Sequence, residues 1–359
     1  MKKLRLMAMN SSVEWGGNEL WLSKTLNGLS RRGHDVVLAA RTNIFSGRID
    51  EGIKVQKLPF RHEFDLPTIK NLLSLTKENE INIVLATKRK EYALSAILKK
   101  SAKIPVVFRL GIIRSIKKID LPQRWVYDKV PDSIIVNAEM IKKSLLEQNI
   151  GTNEKIKVIY NGYDFDPRVD ESLPFELPAD KYIFASAGRL TAQKGYDILL
   201  NALAFLKKER DDFFHVIAGE GGERDKYMNF IIEHGLKDNV ILPGSTDNVR
   251  GLFSRADCVV IPSRAEGIPN TLFEAWSVKK PVLAASSAGI PEAVDDKIDG
   301  LIFKPEPVDI FNKLKFALEN KNEIIAYGSN GFEKMKSEFT LEKMLDETEE
   351  LFLELASPD

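Results

Sequence analysis

The chain is short of cysteine, of histidine and of charge bias, and each shortage removes a class of function. A single cysteine, Cys258, among 359 residues rules out an intramolecular disulfide and makes the cytoplasm the simplest compartment. It sits in Cys258-Val-Val-Ile-Pro262, which reads as a buried strand rather than the setting of a nucleophile. The four histidines, His34, His62, His215 and His234, are scattered without metal-ligand spacing. Lysine plus arginine and aspartate plus glutamate both number 52, a balance that argues against a nucleic-acid partner. No apolar run approaches the roughly 20 residues that span a bilayer, and Met1 to Met9 lacks an apolar signal region. The expectation is a cytoplasmic protein that touches a membrane, if at all, only at the inner surface. Also missing are a full G-x-G-x-x-G after the first strand and a Walker lysine, which weighs against dinucleotide-dependent oxidoreductases and P-loop enzymes.

What is present is an alternation of short apolar runs with amphipathic segments, which predicts parallel sheets. Leu4–Met9 reads as a strand, Asn18–Arg32 as a helix stopped by Gly33, and Val36–Ala40 as the next strand. Ile81–Ala86, Val106–Leu110 and Ser133–Val136 read as further strands. Around residues 162–180 the pattern breaks into a stretch rich in proline and acid, the mark of a connector. A second series follows: strands Tyr182–Ala187, Phe213–Ala218, Asn239–Leu242, Asp257–Ile261 and Pro281–Ala284. The helices between them are Tyr196–Lys208, Glu223–His234, Val249–Arg255 and Asn270–Val278. The chain closes with an acidic amphipathic helix, Leu341–Ala356. Two α/β domains are expected, each doubly wound. Ligands of such sheets bind beyond the carboxyl ends of the strands, and a cleft between two such domains suits a two-part ligand.

The most informative segment is Pro262-Ser-Arg-Ala-Glu-Gly-Ile-Pro-Asn-Thr-Leu-Phe-Glu-Ala-Trp276. A strand ends at Pro262 and a helix begins near Pro269, where proline costs little. The N–H groups of Asn270, Thr271 and Leu272 then form an anion site at the positive helix end. Glu266 and Glu274 flank that site. Carboxylates beside a phosphate need hydroxyl donors, which sugars supply; a sugar on each side of a diphosphate describes a nucleotide sugar. For an arbitrary glutamate pair the plainer reading, a helix cap and a solvated side chain, would serve. A second constellation, Gly188-Arg189-Leu-Thr-Ala-Gln-Lys194-Gly195, also joins a strand end to a helix start, and Arg189 and Lys194 can converge on one anion. Gly219-Glu-Gly-Gly222 lets a ligand approach the backbone closely. Gly16-Gly17, before the first helix, reads equally as a tight turn and as a phosphate cradle.

Together these residues resemble the large E-x7-E family of retaining GT-B-fold glycosyltransferases, the group 1 glycosyltransferases. The motifs are Gly16-Gly17-Asn-Glu19, Asn161-Gly162, Gly188-Arg189 with Lys194-Gly195, Gly219-Glu-Gly221, Glu266 to Ala275, Ala288-Gly-Ile-Pro-Glu292 and Asp299-Gly-Leu301. The resemblance implies a GT-B fold, with two Rossmann-like domains facing across a cleft. The acceptor-side domain would span residues 1–163 plus a returning helix at 341–359, and the nucleotide-sugar domain residues 164–340. It implies that Arg189 and Lys194 hold the diphosphate, Glu274 the ribose, and Glu266 with the backbone of Gly267, Ile268, Pro269 and Asn270 the donor sugar. The amides of Thr271 and Leu272 meet the distal phosphate. Gly17, Gly188, Gly219 and Gly221 allow close approach, with Gly16 on the acceptor side. Many family members carry a histidine where this chain has Pro105-Val-Val-Phe-Arg-Leu-Gly111, so Arg109 stands as a candidate acceptor-side contact in its place.

The function implied is a retaining, metal-independent, hexosyltransferase-type enzyme. Its donor is a nucleotide sugar, UDP-sugars slightly favoured, with no further cofactor. Its acceptor is a saccharide or lipid-linked glycan in bacterial surface polysaccharide or lipopolysaccharide synthesis. A nucleotide-sugar epimerase on the same fold and a non-catalytic sugar-nucleotide sensor remain alternatives. The one D-x-D string, Asp164-Phe-Asp166, lies in the connector and reads as turn residues rather than a metal bridge. Residues 81–130 carry twelve basic side chains, among them Lys88, Arg89, Lys90, Lys99, Arg114, Lys117, Lys118 and Lys129, against Glu91, Asp120 and Asp128. That stretch reads either as solvated helix surface or as a docking face for an anionic membrane.

Overall fold

The structure, a computed structural model, describes residues 3–111, 121–287 and 289–356. Ala288, Arg114, Lys117, Lys118 and Asp120 lie outside them. By internal contacts the chain divides into two units, Met1–Gly162 with Leu341–Asp359, and Tyr163–Thr340.

The first unit holds seven parallel strands: β1 Arg5–Asn10, β2 Asp35–Ala40, β3 Lys54–Lys57, β4 Ile83–Ala86, β5 Val106–Leu110, β6 Ser133–Val136 and β7 Ile156–Val158. Their order is β3-β2-β1-β4-β5-β6-β7, so the winding reverses between β1 and β4. Alternation along β1 sorts its side chains to two layers. Met7 and Met9 join Val84, Phe108 and Tyr92 on one face, and Leu6 and Ala8 join Trp21, Leu26 and Leu29 on the other. The closing helix Leu341–Leu355 packs into the second layer through Met344, Leu345 and Phe352. Gly28 leaves room there for the Leu345 side chain, which an added Cβ would force to shift. Arg32 then bonds Glu342, Asp346 and Glu349, and His34 Nε2 lies 2.7 Å from Glu349 Oε1, fixing that helix to the sheet edge.

The second unit repeats the plan with β8 Tyr182–Ala187, β9 Phe213–Ala218, β10 Val240–Ile241, β11 Cys258–Ile261, β12 Val282–Ala285 and β13 Leu301–Phe303, in the order β10-β9-β8-β11-β12-β13. All its pairings are parallel. Cys258 is fully buried and burial pushes its thiol well above the usual range, so it is a core residue. No helix among the described residues is long and apolar enough to cross a membrane.

Between Ala284 and Leu341 the sequence pattern marks motifs but no strand or helix. The structure places β13 and three helices there, Ile290–Ala293, Pro307–Glu319 and Lys321–Glu338. It also adds β3 and β7. β3 reads Lys-Val-Gln-Lys and is an exposed edge, so it lacks the apolar run of a central strand.

Candidate active site

Adjacent strands β9, β8 and β11 end in three loops that knit together. After β8 the chain turns at Gly188 (φ +152°), passes a 3-10 turn Ala192–Lys194, and enters the helix Tyr196–Glu209 through Gly195 (φ +72°). A Cβ at Gly195 would overlap the Pro262 carbonyl oxygen. Gly219 and Gly221, at φ +157° and +159°, lie against the carbonyls of Gly188 and Leu190 with equally little room. Hydrogen bonds complete the seam: Gly188 N–H to Ala218 O at 2.9 Å, Leu190 N–H to Glu220 O at 2.8 Å, and Arg264 N–H to Gln193 O at 2.8 Å. The Gln193 amide donates to Ala265 O at 2.6 Å, and Arg264 pairs with both oxygens of Asp197 at 2.7 Å. Gly219 and Gly221 thus approach a neighbouring loop closely.

That seam places Lys194 beside Glu266. Lys194 Nζ is 2.8 Å from Glu266 Oε1, and each side chain is 17% exposed. The second oxygen, Glu266 Oε2, is buried with no hydrogen-bond partner among the described residues. Sequence reasoning put these residues in separate constellations; the loop contacts join them. It also missed Tyr196, a buried residue whose hydroxyl lies 3.0 Å from where a Gly188 Cβ would be. Burial, with the Glu266 charge, pushes Tyr196 up, so it stays a neutral hydroxyl. Its only signal was an aromatic directly after Gly195.

The helix after β11 runs Asn270–Ser277, with Pro269 extended at its N-cap and no side-chain cap, so Glu266 does not cap it. Gly267, Ile268 and Pro269 are buried, while Asn270, Thr271 and Glu274 are partly exposed. The expected set of three free amides needs correction. Leu272 N–H donates to Pro269 O at 3.1 Å, because the first turn tightens. Asn270 and Thr271 are the first two residues of the helix, where an amide has no acceptor within the helix itself. Arg189 is exposed at the rim of the first loop.

In the first unit, Gly16 is the extended N-cap of the helix Gly17–Arg31 and has no side-chain cap. The turn is fixed from beneath. Glu19, buried, accepts from Lys88 Nζ at 2.8 Å and Asn10 Nδ2 at 3.1 Å. Glu91, fully buried and pushed up by that burial, accepts from the Ser11 and Thr87 amides at 2.7 and 3.2 Å. Arg109 is not at the surface: it is 4% exposed, donates to Asn18 Oδ1 at 2.8 Å and Asn161 Oδ1 at 3.0 Å, and lies 4.7 Å from the Trp21 ring centre. The guanidinium is thus held inside its own unit by Asn18 and Asn161.

Local pairing also thins the basic stretch. Lys88, Arg89, Lys99 and Lys129 pair with Glu19, Glu63, Asp132 and Asp128. Of the D-x-D string, Asp166 has both oxygens on Arg168, at 3.0 and 2.8 Å, which holds it down to about 2.

Residues 170–334 match the family model described as glycosyl transferases group 1, and residues 15–167 the model described as glycosyltransferase family 4. Among curated proteins, an uncharacterized glycosyltransferase of Methanocaldococcus jannaschii is 27% identical over 267 residues, 64% of this chain and 65% of that protein. The lipopolysaccharide core biosynthesis glycosyltransferase LpsE of Rhizobium meliloti is 26% identical over 341 residues, 92% of this chain and 94% of that protein. The crystal structure of Anabaena HepE in complex with UDP superposes with a TM-score of 0.84 at 21% identity, covering 98% of this chain and 100% of that one. With two doubly wound sheets, a glutamate pair at the end of β11 and family matches across both units, the chain belongs to the group 1 glycosyltransferases and has the GT-B fold.

Proposed function

We propose that the enzyme moves a hexose from a nucleotide sugar, a UDP-sugar favoured, to a saccharide or lipid-linked glycan. Transfer retains the anomeric configuration, needs no metal, and serves bacterial surface polysaccharide or lipopolysaccharide synthesis. The observation that carries this reading is Glu266 Oε2, a buried carboxylate oxygen without a donor. Such an acceptor is costly to leave unmet, and a sugar hydroxyl is the donor that suits it. Lys194 has N–H groups beyond the one facing Glu266 and, with Arg189 and the amides of Asn270 and Thr271, stabilises charge on the departing diphosphate. Glu274 takes the ribose. Glu266 orients the sugar and is not a covalent nucleophile; attack comes from the leaving-group face, and the departing phosphate helps deprotonate the acceptor. UDP in the HepE complex and the lipopolysaccharide role of LpsE support the substrate classes.

The test is a panel of UDP-, GDP- and ADP-sugars, screened by thermal shift and then incubated with and without candidate acceptors. Release of nucleotide only with acceptor supports transfer. Interconversion of the donor alone favours an epimerase, and binding without turnover a sensor. Transfer is expected to proceed unchanged in EDTA. Activity lost to EDTA and restored by magnesium or manganese would overturn the metal-free mechanism.

A second reading concerns the acceptor's setting. Phe64 and Leu66, 73% and 74% exposed, stand on a turn that is held rigid from inside. Buried Asp65 accepts from Arg61 N–H at 2.9 Å and Thr68 Oγ1 at 2.7 Å, and Lys90 Nζ donates to Phe60 O at 3.1 Å. Apolar tips beside Arg61, Lys70 and Lys90 suit an anionic lipid surface. Binding to vesicles with anionic lipid is expected at low salt and release as salt rises. The double substitution Phe64→Ser and Leu66→Ser is expected to weaken it without changing nucleotide affinity. Equal binding to neutral and anionic vesicles, or none to either, returns the acceptor to soluble saccharides.

A further inference from the structure

The first unit's sheet contains one residue that its strand pattern does not explain. β5 reads Val-Val-Phe-Arg-Leu and every position is buried, Arg109 included. Stability alone would be served as well or better by an apolar residue, since a buried cation is expensive to desolvate. Here the cation has no carboxylate partner among the described residues. Glu19, the acidic side chain at the same helix end, is taken by Lys88, Asn10 and Asn18. Burial accordingly lowers the Arg109 guanidinium to about 10. It also lies near the positive end of the helix Gly17–Arg31, so the helix dipole adds no compensation. The surroundings are nevertheless built for a guanidinium. Nη1 meets Asn18, the second residue of that helix; Nη2 meets Asn161, just before the unit boundary; and Cζ lies over the Trp21 ring, 4.7 Å from its centre. Gly111 has no Cβ, and one added there would overlap Nη1.

What these contacts hold is the turn at Gly16-Gly17. Two glycines without a side-chain cap do not fix their own conformation. Glu19 is pinned from the β4 side and Asn18 from the β5 side, so the turn is presented in one conformation. We propose that Arg109 is a positioning residue for glycosyl transfer: its fork joins Asn18 to Asn161 and thereby fixes the Gly16-Gly17 turn, while the guanidinium itself touches no substrate. This rests on the reading that Gly16 and Gly17 take part in transfer. A lysine can reach one asparagine but not both.

The experiment compares wild type with Arg109→Gln, Arg109→Lys, Asn18→Ala and the double variant Arg109→Gln/Asn18→Ala. In Arg109→Gln, kcat is expected to fall about 30-fold or more, while the Kd for UDP, which belongs to the second unit, changes less than about threefold. Arg109→Lys is expected to recover part of kcat, and Asn18→Ala to add little in the Arg109→Gln background, since both remove one link. Independently of activity, amide exchange in Arg109→Gln should speed up over residues 17–22 and stay unchanged in the second unit. Unchanged kcat, a full additional loss in the double variant, or unchanged exchange at residues 17–22 would each overturn the positioning role. A wild-type enzyme inactive on every donor sinks the functional reading instead, and the exchange result then decides the Arg109 link alone.

Discussion

Lys194→Ala and Arg189→Ala are each expected to lose roughly 10²–10³ in kcat, the usual effect of removing one donor to a developing anion. Their stabilities are expected to diverge. Arg189 is exposed, and its removal leaves folding within about 0.5 kcal/mol of wild type. Lys194 is 17% exposed and pairs with Glu266, whose other oxygen has no partner. Losing the ammonium strands a mostly buried carboxylate, and a cost of about 1–3 kcal/mol is expected. Glu266→Gln in the Lys194→Ala background should recover much of that stability and none of the activity, because the amide removes the stranded charge without replacing the cation. Steady-state kinetics on the donor found by screening, with urea unfolding of each variant, reads both effects. Full activity in both single variants would remove the diphosphate clamp from the mechanism.

Gly219→Ala is expected to be the most disruptive one-carbon change in the second unit. The added methyl would sit on the Gly188 carbonyl oxygen, and φ at +157° lies at the edge of the region side chains avoid. Backbone strain of about 1–3 kcal/mol adds to overpacking of about 1–3 kcal/mol. At about 2–4 °C per kcal/mol, the melting temperature should drop by on the order of 10 °C. Relief by movement would pull Gly188 and the loop carrying Lys194 out of register, so activity should fall in whatever fraction remains folded. Gly222→Ala is the control: nothing lies within 4 Å of its added carbon and its φ is not positive. Equal melting temperatures for the two variants would show that the loops are not packed as tightly as described.

The strands most legible in the sequence were Tyr182–Ala187, Phe213–Ala218, Val106–Leu110 and Ser133–Val136, which the structure reproduces residue for residue. They are interior parallel strands, each paired on both sides and buried on both faces, so they read as unbroken apolar runs. The edge strands β3, β7 and β13 escaped: β3 is polar and exposed, and β7 and β13 have three residues each, whereas the edge strand β10 was legible within Asn239–Leu242. Short edge strands are defined by the neighbour they pair with, and a single sequence does not show the neighbour. The same division separates the candidate site residues. Glu266, Glu274, Arg189 and Lys194 stand out in the sequence because they lie where a strand gives way to a helix, a feature of local pattern.

Determined by the sequence alone were the α/β alternation, the two series of strands and the loops at whose ends chemistry sits, since hydrophobic period and turn residues act over a few neighbours. Only the tertiary structure decided which charges meet. Lys194 finds Glu266 because Gly195 packs on Pro262; Lys88 finds Glu19 because β4 pairs with β1; and Arg109 bonds Asn18 and Asn161. Each pairing joins residues far apart in the chain, and strand order, not spacing along the sequence, brings them within reach.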